Sequence, residues 1–289
     1  MPDKNCKICG SFDLKVFPNK YFKNTLLRCQ KCGLIFVYPQ PEFCMIKNIY
    51  AQNYFKNSSS HSIGYENYLK DKPNIMKTFE RRLKNIEALY PKKGEILDLG
   101  CAMGFFLEVA KNHGWNPHGV EISEYASNIA KKRFGNNIFN GVLNQACFLE
   151  DSFDIITMWD YLEHIPDPSF ELSLIWKLLK KGGMVILSTP NANSLPHKIF
   201  RDRWMGYKDQ EHLYYFSEKN MRTLLQKNGF KILKSERTGK HISLSLFIKR
   251  LNLYSKPLAD ISRFLTPEKI SDFSFYINPL DIICFYAEK

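Results

Sequence analysis

From Glu95 onward, short apolar runs alternate with segments whose apolar residues recur every three or four positions. The runs lie near 95–99, 117–121, 138–141, 153–158 and 184–189, and read as buried parallel strands. The periodic segments near 104–113, 124–133 and 169–180 read as the helices between them. Ser217 and Glu218 open a further helix, with Ser217 as N-cap and an acid in the first turn, and Gly229 ends it. Two more strands fall near 231–238 and Asp281–Glu288. Upstream, within 65–89, Ile75, Phe79, Leu83, Ile86 and Leu89 recur at helical spacing among Lys77, Arg81, Arg82 and Lys84. That is an amphipathic helix covering a sheet, with its basic face toward solvent. Alternating strands and helices predict an α/β fold, a parallel sheet with helices on both faces.

One stretch ties this pattern to chemistry. Glu95-Ile96-Leu97-Asp98-Leu99-Gly100-Cys101-Ala102-Met103-Gly104-Phe105-Phe106-Leu107 passes from a strand through a glycine turn into a helix. Glycine lets the backbone approach a ligand closely, and the helix N-terminus adds unpaired N–H donors. The next strand ends in Glu121, and in nucleotide-binding βαβ units an acid about 20 residues after the turn accepts hydrogen bonds from ribose hydroxyls. A strand–turn–helix also occurs with nothing bound. Here the acid's distance and the third element, Phe153–His164, at its expected place favour a nucleotide site.

Asp98-x-Gly100-x-x-x-Gly104, Glu121, Phe153-Asp154, Leu162-Glu163-His164-Ile165-Pro166-Asp167-Pro168 and Leu179-Lys180-Lys181-Gly182-Gly183 together resemble the class I S-adenosylmethionine-dependent methyltransferases. The resemblance spans roughly residues 95 to 190, and Ala102 stands where that family often has a glycine. It implies a Rossmann-like, seven-stranded, mostly parallel sheet over residues 65–289, with S-adenosylmethionine at the C-terminal strand ends. Asp98, Gly100, Cys101 and Gly104 then form the cofactor turn, and Glu121 holds the ribose. Ile122, Val142 and Leu143 sandwich the adenine, Val142–Leu143 standing where related enzymes often carry an acid. Gly100 and Trp159 face the methionine moiety, and Tyr65 and Tyr68 cap it.

The first 38 residues have their own logic. Cys6-Lys7-Ile8-Cys9 and Cys29-Gln30-Lys31-Cys32 form two CxxC knuckles 19 residues apart, followed by Gly10 and Gly33. Four thiolates so spaced make a closed, structural zinc site; an iron site or disulfides are the alternatives. A zinc ribbon over 1–38 is too small to fold on its own core, so the metal supplies much of its folding free energy. Residues 39–64 form a connector whose Tyr50–Ser60 stretch reads as a lid over the cofactor or as an exposed linker. Zinc-ribbon sugar C-methyltransferases, which the chain also resembles, place a Tyr-containing segment beside the active site. A further resemblance is to ubiquinone-pathway-type O-methyltransferases. An apolar insertion at about 242–270, with Pro257 and Pro267, reads as a substrate cover, a dimer contact or a membrane-surface helix.

The net charge of +12 suits an anionic partner: a phosphorylated or nucleotide-linked small molecule, nucleic acid or a membrane surface. With no membrane-length apolar run and no signal peptide before the cysteines, the expectation is a soluble cytoplasmic protein. The oligomeric state stays open.

Methyl transfer from a sulfonium needs alignment, plus a base where the acceptor must lose a proton. Candidates are His164, in the loop after the fourth strand, and His212 with Glu211 after the fifth. Glu211-His212-x-x-x-Phe216-Ser217 resembles the sugar C-methyltransferases, which implies His212 as acid/base and Glu211 as its support. Adjacent residues on an extended segment point opposite ways, so both reach one substrate only where the backbone turns. The expected function is methylation of a small molecule, a sugar or nucleotide-linked sugar. An RNA methyltransferase and a non-catalytic cofactor-binding or zinc interaction module are the alternatives.

Overall fold

The computed structural model describes residues 5–42, 45, 48–50, 54–55, 68–251 and 273–289. Three short strands open it: β1 (Leu14–Phe17), β2 (Thr25–Cys29) and β3 (Ile35–Tyr38). Helix α1 (Lys72–Leu89) leads into β4 (Glu95–Leu99), α2 (Phe105–Asn112), β5 (Asn116–Glu121), α3 (Glu124–Phe134) and β6 (Ile138–Asn140). Then come β7 (Phe153–Trp159), α4 (Pro168–Leu178), β8 (Leu179–Pro190), α5 (Leu195–Phe200) and β9 (Tyr214–Tyr215). Last are α6 (Glu218–Lys227), β10 (Lys231–Ser243), α7 (Leu244–Leu251) and β11 (Ser274–Glu288).

Seven strands form the main sheet in the order β10-β11-β8-β7-β4-β5-β6, and only β11 runs against its neighbours. Successive strand residues face opposite sides. Ile96, Ile155, Met184 and Ile186 pack on one side with Leu83 of α1, Phe106 of α2 and Ala130 of α3. Leu97, Ile156, Val185 and Leu187 pack on the other with Leu172 and Ile175 of α4 and Leu224 of α6. Because both faces are covered, these strands read as continuous apolar runs.

Several boundaries differ from the sequence expectation. The first helix begins at Lys72, with Pro73 in its first turn, and Tyr65 lies outside the described residues. Helix α4 stops at Leu178 because Leu179 already pairs with Phe153 in the sheet. Strands β10 and β11 are longer than expected: β8 pairs with β11 only from Ile282 on, and the rest of the hairpin projects past the sheet. Of the 242–270 insertion, α7 is described and 252–272 lie outside the described residues.

The ribbon forms a second sheet, β1-β2-β3-β9. Its fourth strand comes from far along the chain, at Tyr214–Tyr215. Among the described residues, no helix is long and apolar enough to cross a membrane.

Candidate active site

A cavity of about 1060 Å³ opens at the C-terminal ends of β4, β5 and β7. Of the residues expected to hold a cofactor, Gly100, Glu121, Ile122, Val142 and Trp159 line it. Asp98, Cys101, Gly104 and Leu143 stand behind that wall. Asp98 is buried and accepts a hydrogen bond from Thr157 Oγ1 at 2.7 Å; burial raises its pKa to about 8. Cys101 packs under Gly119, Gly104 caps α2 with φ 76°, and Leu143 belongs to the core. Tyr68 stacks on Phe105 and also lines the cavity.

Glu121 joins the turn to the second strand. Its Oε2 accepts from the Ala102 N–H and its Oε1 from the Ser123 N–H, both at 2.8 Å. Burial lifts its pKa to about 6 against these two bonds. Each oxygen keeps a second lone pair for a ligand hydroxyl. Ala102 reaches Glu121 from φ 48°, a left-handed conformation costing an alanine on the order of 1 kcal/mol more than a glycine. Gly100, at φ +72°, lies so close to Tyr161 that an added Cβ would come within 2.8 Å of the ring.

Sequence reasoning placed Arg82 on a solvent face, and the structure corrects this. Lys77, Arg81 and Lys84 are exposed, but Arg82 is buried against the cavity. Its guanidinium lies 4.7 Å from the Trp159 ring, and its Nε and Nη2 have no hydrogen-bond partner. The signal was in the helical phase: residue 82 falls between Phe79 and Leu83 on the apolar stripe. A second missed pair is Asp160 and Lys240. Lys240, on the projecting hairpin, donates to Asp160 Oδ2 at 2.5 Å; desolvation opposes the charge of this half-buried carboxyl, but the cation holds it well below its usual range.

The far end of the cavity holds Tyr50, Tyr54, Glu163, His164, Lys208, Glu211 and His212. The backbone does turn there: the N–H groups of Glu211 and His212 both donate to the Lys208 carbonyl, at 3.2 and 3.0 Å. Both side chains therefore reach the cavity. Glu211 Oε2 accepts from Lys208 Nζ at 2.8 Å and from the Tyr54 hydroxyl at 3.2 Å. Burial opposes its charge, but Lys208 wins and the pKa is lowered. His212 is 3 % exposed, and its Nδ1–H donates to the Gly206 carbonyl at 3.0 Å. His164 Nδ1–H donates to the Glu211 carbonyl at 2.8 Å, with the Tyr50 hydroxyl 2.7 Å from the same nitrogen. Burial lowers the pKa of both histidines, so each is neutral with Nε2 as its free acceptor. The rings cross at 80° with centroids 4.7 Å apart.

Away from this cavity, Cys6, Cys9, Cys29 and Cys32 bring their sulfurs within 4.8 Å of one another, and none is in a disulfide. The Cys6–Cys32 and Cys9–Cys29 separations are 3.4 and 3.5 Å. Tetrahedral ligation at about 2.3 Å requires sulfurs about 3.8 Å apart, so this donor set fits a four-thiolate metal site.

Residues 68–235, more than half of the chain, match a family described as methyltransferase domain. The chain belongs to the methyltransferase family. Over 120 residues, this methyltransferase is 37% identical to the ubiquinone biosynthesis O-methyltransferase of Coxiella burnetii, covering 39% of this chain and 50% of the relative. Its counterpart from Thiobacillus denitrificans is 30% identical over 120 residues, covering 39% and 52%. The chain thus spans about half the length of these curated relatives. Among solved structures, the magnesium protoporphyrin IX methyltransferase of Synechocystis, with bound S-adenosylhomocysteine, superposes with a TM-score of 0.55 at 16% identity, over 86% of this chain and 100% of that one. A possible histamine N-methyltransferase from Thermotoga maritima gives 0.53 at 17% identity, with the same coverage. The fold is that of S-adenosylmethionine-dependent methyltransferases.

Proposed function

We propose that this protein transfers a methyl group from S-adenosylmethionine to an oxygen or carbon of a hydroxylated small molecule, with a sugar or nucleotide-linked sugar as the acceptor class. The observation that carries this reading is the one cavity lined both by Glu121 and by His164, Glu211 and His212. Glu121 would accept from the ribose hydroxyls, and Ile122 and Val142 would flank the adenine. Gly100 and Trp159 would face the methionine moiety, whose carboxylate would take the open donors of Arg82. When bound, that cofactor supplies an already activated methyl electrophile; the chain's own task is alignment and handling of the acceptor's proton.

At the acceptor end, tyrosine hydroxyls, the Lys208–Glu211 pair and two neutral histidines offer closely spaced donors and acceptors, which suits a polyhydroxylated ring. Lys208 and Lys240, each ion-paired with an acid, also line the cavity. His212, with Nδ1 committed to a carbonyl and Nε2 unprotonated, would activate the acceptor hydroxyl, Glu211 holding its partner groups. Tyr50 and Tyr54 of the connector would close over the substrate. We assign the four ribbon cysteines to a structural zinc ion.

Thermal stabilisation tests the acceptor class. With S-adenosylhomocysteine present, a panel of nucleotide-sugars should add a further increase in Tm. Retention on heparin with a steep salt dependence, and no response to any nucleotide-sugar, would point to a nucleic-acid acceptor instead.

A further inference from the structure

Glu163 poses a problem that this reading does not solve. It has no exposed surface, and neither carboxyl oxygen makes a close hydrogen bond, although the Thr189 hydroxyl is near enough to favour its charged form. The other acids on the same wall are all paired: Glu121 with two backbone N–H groups, Asp160 with Lys240, Glu211 with Lys208, and Glu171 with the Tyr161 hydroxyl. A buried carboxyl left without a close partner is costly to the fold.

What surrounds Glu163 suggests what completes it. One carboxyl oxygen of Glu163 and one ring nitrogen each of His164 and His212 lie within 4.8 Å of one another. No hydrogen bond joins the three groups. Both histidines spend Nδ1–H on backbone carbonyls, of Glu211 and Gly206, which leaves Nε2 lone pairs available. That is the outer-shell arrangement that fixes tautomer and ring orientation in metal-binding histidines. Ligands around one ion at about 2.1 Å stand about 3.4 Å apart, within reach of groups whose ligand atoms lie no more than 4.8 Å from one another. Lys208 and Lys240 are ion-paired with Glu211 and Asp160, and among the described residues no ion pair reaches Glu163.

We propose that Glu163, His164 and His212 bind a divalent cation of the Mn²⁺, Fe²⁺ or Zn²⁺ class, distinct from the ribbon metal and facing the acceptor end of the cavity. Two imidazoles and one carboxylate are a donor set these ions accept, and three protein ligands leave positions open for substrate oxygen. This inference rests on the reading that the acceptor lies at this end. The ion would bind an acceptor hydroxyl and lower its pKa, the proton leaving to solvent. The oxyanion then attacks the methyl carbon as the carbon–sulfur bond breaks, releasing the neutral thioether. His212 would act as ligand rather than as base.

Equilibrium dialysis of the full, zinc-replete chain against Mn²⁺ is the test. The expected result is one Mn²⁺ per chain beyond the ribbon zinc, weakened at least tenfold in Glu163→Gln with S-adenosylhomocysteine affinity retained. Should that variant fail to fold, pulsed electron paramagnetic resonance of wild-type protein with Mn²⁺ should show coupling to two imidazole nitrogens. No added Mn²⁺, binding indifferent to Glu163→Gln, or a spectrum without nitrogen coupling would overturn the proposal. Retained S-adenosylhomocysteine binding in that case would leave the cofactor reading standing, with His212 as base.

Discussion

The N–H of Val37, in the ribbon strand β3, donates to the carbonyl of Leu213, the residue after His212, at 2.9 Å. Phe36 and Ile35 then pair with Tyr214 and Tyr215, while the Leu213 N–H donates to the Glu163 carbonyl at 2.8 Å. The segment carrying Glu211 and His212 is thus clamped between the cysteine-built module and the loop of Glu163 and His164. Asn220 Nδ2 to the Cys32 carbonyl and Lys227 Nζ to the Ile8 carbonyl, both 2.7 Å, fix the knuckles to α6.

From that clamp follows a dissociation of effects. Cys29→Ser should lower the Tm and cut turnover at least tenfold. S-adenosylhomocysteine affinity should change by less than threefold, because Glu121 ends β5 and Gly100 directly follows β4 of the main sheet. Calorimetry and turnover measured on the same samples check this. A parallel loss of both would mean that the ribbon supports the whole domain rather than the acceptor end.

Arg82 gives a prediction with two opposite signs. Its guanidinium is buried with Nε and Nη2 unpartnered, a cost to the ligand-free fold. Arg82→Met keeps the packing on Trp159 and removes that cost, so the ligand-free Tm should hold steady or rise. The same change should weaken S-adenosylhomocysteine by about 1.5–3 kcal/mol, the range for hydrogen bonds to charged groups. A fall in Tm with unchanged affinity would make Arg82 a purely structural residue.

The pKa of Glu121 sets a pH window. Burial raises it from 4.5 to about 6 in the ligand-free protein. The folded chain therefore holds this proton more tightly than the unfolded one. The resulting stability is fully present below about pH 4.5 and lost as pH rises through about 6. Ribose hydroxyls favour the charged form, so cofactor binding has the opposite slope. S-adenosylhomocysteine affinity should fall as pH drops through about 6, by up to tenfold per unit, and its stabilising shift in Tm should be larger at pH 7.5 than at pH 5.5. A flat profile would detach Glu121 from the ligand.

The sheet was legible because its strands are buried on both faces, and the glycine turn with Glu121 is local in sequence. Arg82 was misread through its neighbours, three of which do face solvent, although its phase on the helix was that of the apolar stripe. The Asp160–Lys240 pair spans 80 residues and depends on a hairpin that overshoots the sheet, a length that local hydrophobicity does not encode. The ribbon's fourth strand, Tyr214–Tyr215, is only two residues long and pairs with a partner some 180 residues earlier in the chain. No periodicity can show in so short a run, so the link between ribbon and His212 had no sequence signature.

On the proposed reading, one cavity takes the cofactor at Glu121 and the acceptor at His212. Calorimetric titration of S-adenosylhomocysteine into wild type, Glu121→Ala and His212→Ala tests it most directly. Wild type and His212→Ala should bind with equal affinity, and Glu121→Ala at least tenfold more weakly. Equal affinity in all three proteins, or no binding to wild type, would contradict it.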